Sequence, residues 1–102
     1  MNPNEASANK TYNITTNTVT IIPGKFVLIA VVVNTKGASS NLATIYDSNS
    51  TIGANAQNKK ATIDTVNTFG RIEYGFPCYN GIYIVTSAGT PSDITVIYAE
   101  TP

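Results

Sequence analysis

Five side chains stand out as candidates for chemistry: the thiol of Cys78 and the carboxylates of Asp47, Asp64, Glu73 and Asp93. There is no histidine, so the commonest general base and the usual imidazole metal ligand are missing, and neither a Ser-His-Asp nor a Cys-His nucleophile can be built. Cys78 follows Pro77 in an apolar stretch with nothing to activate it, which predicts a buried, inert thiol. Two carboxylates about 5 to 10 Å apart would suffice for glycosidase chemistry. Three of the four acids fall at strand ends, where Asp makes turns with its own backbone, and Glu73 alternates with an apolar face; turn formers and a solvated side chain are the preferred reading. Asp47, Asn49 and Thr51 place oxygens as a calcium loop does. However, Gly53 comes one place late and the twelfth position is Asn58, so that stretch reads as a turn. No phosphate-binding glycine motif occurs, and no metal or cofactor is expected.

Composition limits the partners. Six basic residues balance six acidic ones, which leaves no field to draw the chain to nucleic acid or an anionic membrane. Charged residues are only 12% of the chain, whereas Asn, Ser and Thr together number 34, so the polar surface is mostly uncharged. That composition accounts for the three N-x-[ST] triplets, at Asn9, Asn13 and Asn49, without any glycosylation. A single cysteine excludes an intramolecular disulfide, and stability must come from packing or assembly. The longest apolar run, Phe26 to Val33, is too short to span a membrane as a helix, and the first ten residues have no apolar signal region.

The elements that must position these groups are strands. Met1 to Lys10 has no hydrophobic period and reads as an arm, leaving residues 11–102 as one domain. Val19 and Ile21 alternate with Thr18 and Thr20 before Pro23-Gly24. Phe26 to Val33 is apolar on both faces, as in a strand with the core on one side and a second layer or a sister subunit on the other. Leu42, Thr44 and Tyr46 share one face of the next strand, opposite Ala43 and Ile45. A long loop follows to Asn58, with a short pairing at Ile52, and then strands at Lys60–Asp64 and Arg71–Phe76. Asn80-Gly81 supplies positive φ values for a tight turn. Gly81–Thr86 and Ile94–Glu100 complete an all-β chain: one antiparallel β-sandwich of about seven or eight strands, the jelly roll among its forms, with a closed small barrel as the alternative. Among the six tyrosines, those at 46, 74, 83 and 98 lie in strands and are read as packing, while Tyr79 lies in a turn and is read as exposed.

The segments Val33 to Thr51 (VNTKGASSNLATIYDSNST) and Asn80 to Tyr98 (NGIYIVTSAGTPSDITVIY), with ATIDT at 61–65 between them, resemble small β-sandwich decoration or cement proteins of tailed-phage capsids and related modules at tail-fibre tips. The resemblance implies a non-enzymatic homotrimer on the outer capsid surface of a virion, bridging major capsid protein subunits. The runner-up is a tail-fibre module that binds a receptor or host-surface glycan. Candidates for the capsid or subunit contact are Asn2, Asn4, Glu5, Lys10, Tyr12 and Tyr79.

Overall fold

A computed structural model describes residues 9–101. Eight strands run in chain order: β1 (Lys10–Ile14), β2 (Val19–Pro23), β3 (Phe26–Thr35), β4 (Leu42–Asp47), β5 (Lys59–Asp64), β6 (Gly70–Cys78), β7 (Gly81–Ser87) and β8 (Asp93–Glu100). They form two four-stranded antiparallel sheets, ordered β1-β8-β3-β6 and β2-β7-β4-β5. Successive strands therefore alternate largely between sheets, and the interleaved order is that of an eight-stranded jelly roll.

Alternation along each strand decides which side chains meet between the sheets. Ile94, Val96 and Tyr98 of β8 are buried, as are Ala43 and Ile45 of β4 and Ile82 and Ile84 of β7. Ile72, Tyr74 and Phe76 of β6 pack against that core from the sheet edge, and Tyr98 meets Phe26 edge to face at 5.0 Å.

β3 departs from simple alternation. Its register slips between Leu28 and Ala30 against both neighbours: against β8 the extra residue is Ile29, whereas against β6 it lies in β6, where Tyr74 and Gly75 oppose Ile29. Phe26 and Leu28 face the core before the bulge; Val31 and Val33 face it afterwards. Ala30 beside the slip has no exposed surface, and the outward side is left with Val27, Ile29 and Val32, all half-buried. No further layer covers them among the described residues.

Several local expectations change. Lys10, read as the end of the arm, instead opens β1, because β8 offers that segment a full edge, from Lys10 opposite Tyr98 to Ile14 opposite Ile94. Ile52 pairs with no strand among the described residues and is 91% exposed. β6 continues through Pro77 and Cys78, because Pro77 sits on an edge strand where its missing N–H costs no ladder bond. Gly81 takes a positive φ of 146° but Asn80 does not, since this connection crosses between sheets and does not close a hairpin.

One end of the sandwich is tied by the side chain of Asn41, which has no exposed surface. Its Nδ2 donates to Asn17 Oδ1 and to the Ala88 carbonyl, both at 2.8 Å, while its Oδ1 accepts the Thr65 hydroxyl at 2.6 Å. Those partners belong to the β1–β2, β7–β8 and β5–β6 connections, so one amide joins every loop at that end. Gly37 is required beside it, because a Cβ there would lie 2.7 Å from Asn41 Cβ. Replacing Asn41 with Ala strands buried donors and acceptors in three loops, and urea denaturation is expected to show a loss of about 3 kcal/mol or more. Asn49→Ala, at an exposed position, is expected to stay within about 0.5 kcal/mol of the parent.

Candidate functional site

The carboxylates do not converge. Asp47 ends β4 and Asp64 pairs with Leu42 at its start, five residues away, which at about 3.4 Å per residue is roughly 17 Å. Glu73 and Asp93 belong to the other sheet. Each acid has structural work. Asp47 is buried and accepts the Asn80 N–H at 2.8 Å, fixing the β6–β7 turn. Asp64 accepts the Asn67 side-chain amide at 2.7 Å and the Val66 N–H at 3.0 Å, and the Asn67 bond leads the backbone bonds in holding its pKa below the ordinary carboxylate value. Asp93 gathers the amides of Asn13 and Asn34 at 2.7 and 3.2 Å. Glu73 pairs with Arg71 on exposed β6, a contact of little energetic weight. Of the three strand-end acids only Asp64 makes a turn with its own backbone; Asp47 braces a turn remote in sequence, and Asp93 ties side chains of β1 and β3. Among the described residues no three His, Cys, Asp or Glu side chains cluster.

A shallow depression of about 290 Å³ is lined by Ser40, Leu42, Asp64, Val66 and Asn67. Both oxygens of its carboxylate are already engaged by Asn67 and the turn backbone, which leaves a weakly polar dent.

Cys78 is buried, as its apolar setting predicts. Burial, followed by the nearby charge of Asp47, pushes its thiol from 9.0 up to about 11.

The candidate contact residues do not form one site. Lys10 is the first residue of β1 and pairs with Glu100 at 3.3 Å; Tyr12, two residues on, is 46% exposed. Tyr79 is 64% exposed but follows β6, at the opposite edge of the same sheet. Asn2, Asn4 and Glu5 lie outside the described residues.

A larger surface lies on the outer face of the β2-β7-β4-β5 sheet. Cross-strand register aligns Val19, Val85, Thr44 and Thr62 in one row and Ile21, Tyr83, Tyr46 and Lys59 in the next. Val19, Ile21 and Leu42 are 49%, 43% and 38% exposed, large fractions for aliphatic side chains. Tyr83 is covered on this face: its hydroxyl meets Thr51 Oγ1 at 3.2 Å and its ring stands edge to face with Tyr46 at 6.0 Å. Outward charges are confined to β5; across β2, β7 and β4 the face is aliphatic, aromatic and hydroxyl. The alternation of Leu42, Thr44 and Tyr46 marks its middle in the sequence. Its extent follows only from the order of strands, which no local pattern carries.

Compared with known proteins, the chain matches no family model and no curated protein sequence.

The thiol yields a pH prediction. The folded state holds a proton that the unfolded chain releases at lower pH, so stability is expected to fall as pH rises from 9.0 toward about 11. Cys78→Ser should flatten that part of a urea-midpoint profile. In native protein the thiol is expected to resist disulfide reagents at pH 8 and to react at once in denaturant.

Proposed function

We propose that the protein is a structural virion protein that decorates and reinforces the outer surface of a phage capsid, bridging major capsid subunits as a trimer. The observation that carries this reading is the part of the outer face formed by β2, β7 and β4, an uncharged surface of Val19, Ile21, Val85, Leu42, Thr44 and Tyr46. A docking surface of this kind gains from removing apolar area from water and has few charges to desolvate. A protein that binds an assembled shell more tightly than free subunits stabilises the shell by mass action, and linked copies raise occupancy through effective concentration. Nothing in that role requires converging carboxylates or a reactive thiol. The family resemblance supplies the particle and the trimer; the surface supplies a means of attachment.

The test is co-sedimentation with purified capsids of the parent virus. Parent protein is expected to saturate the shell at a copy number comparable to that of the major capsid protein. Thr44→Glu, which puts a charge in the middle of the face, is expected to weaken binding about tenfold or more. Failure of the parent protein to bind capsids would sink the reading. A tail-fibre module that recognises a host glycan is the second reading, favoured by the exposed ring of Tyr79; a handful of copies per virion would decide for it.

A further inference from the structure

Four strands lie at sheet edges, and three of them are guarded against pairing. β1 carries Lys10 in its ion pair with Glu100. β5 carries Lys59 and Lys60 and an irregular register against β4. β6 carries Arg71, Glu73, Gly75 at a φ of 121°, and Pro77. β2 is Val-Thr-Ile-Ile-Pro, without a charge, and its proline stands at its very end.

The direction of its open groups follows from one bond. Thr86 N–H donates to the Thr18 carbonyl at 2.9 Å, so Thr18, Thr20 and Ile22 turn their backbone groups toward β7. Val19 and Ile21 then turn N–H and C=O away from β7, to a side where no described strand lies. The side chains of the same two residues are the exposed aliphatics at this end of the outer face.

We infer that β2 pairs edge to edge with β2 of a second copy, antiparallel, about a two-fold axis through Thr20. That register sets Val19 opposite Ile21 of the other copy, twice. Each outward N–H then meets an outward C=O, the outer faces run on into one another, and Thr20 faces Thr20. Centring the pair on Ile21 instead would set Pro23 opposite Val19 and lose a donor. The occupant is a second copy because an uncharged alternating strand complements itself, whereas Gly75 and Pro77 interrupt the β6 edge and β5 carries adjacent lysines. Among the edges of the described strands, only β2 is free of guards. The seam goes beyond the capsid reading and stands without it, since it uses the edge where docking uses the face.

Sedimentation equilibrium from about 10 µM to about 1 mM, the range of weak interfaces, is expected to show the mass doubling with concentration. The mass at least doubles whether the unit is a single chain or a trimer, whose three such edges can link more than one further copy. Ile21→Lys introduces a charge at the seam, and Ile21→Pro removes an outward N–H that makes no bond to β7. Both are expected to abolish the doubling, with thermal melting confirming that they fold, while Tyr79→Ser leaves it intact. Amide exchange of unaltered protein needs no variant: the Val19 and Ile21 amides are expected to slow as concentration rises. Absence of doubling over that range, doubling that survives both variants, or unchanged exchange at these two amides each overturns the inference. Capsid binding is scored separately, so loss of either idea leaves the other standing.

Discussion

The amide of Asn41 does for one end of this sandwich what a disulfide does in secreted domains of similar size. With a lone cysteine the chain has no covalent tie, and antiparallel strands alone do not fix how loops from two sheets meet. A primary amide has donors and an acceptor in one rigid plane, and here each is used by a different connection. Backbone strain gathers around it: Ser39, Ser40 and Ala88 all hold positive φ values. Those conformations are retained because the buried amide, and the paired Ala38 and Thr90 beside it, leave the loops no alternative that keeps every buried polar atom bonded.

Much of the architecture is written in local alternation. The residues that share a face in β4, β6 and β8 follow directly from residue spacing, but only in β6, where Arg71 and Glu73 oppose an apolar face, does spacing also say which face is inward. What escaped such reading has a common physical cause: it depends on partners remote in sequence. β1 is a strand because β8 lies beside it, although its own residues are mostly exposed. The two apolar faces of β3 are legible, but the slip at Ile29 is not, since every residue around it is aliphatic and any parity fits. Asn41 looks like one more polar loop residue until the other loops are in place. For the candidate surface, Leu42, Thr44 and Tyr46 were readable as a face, whereas joining them to Val19 and Ile21 required knowing that β7 lies between.

The tyrosines illustrate the same limit. Their placement in strands predicts packing, and Tyr98 and Tyr83 are buried. Tyr83 nevertheless points away from the core between the sheets, covered by the loop after β4. Spacing assigns it to a side of the sheet; only the fold of that loop decides whether the side is wet.

The order β1-β8-β3-β6 also carries a consequence for how the molecule comes into being. The last strand in the chain lies between the first and the third, with Lys10 opposite Tyr98 and Phe26 opposite Glu100. A ribosome releasing the chain from its start exposes β1 and β3 long before their shared neighbour exists. Closing such distant contacts costs loop entropy before any packing returns it, so the first sheet assembles late and slowly. Until then the apolar run of β3 has no completed sheet around it.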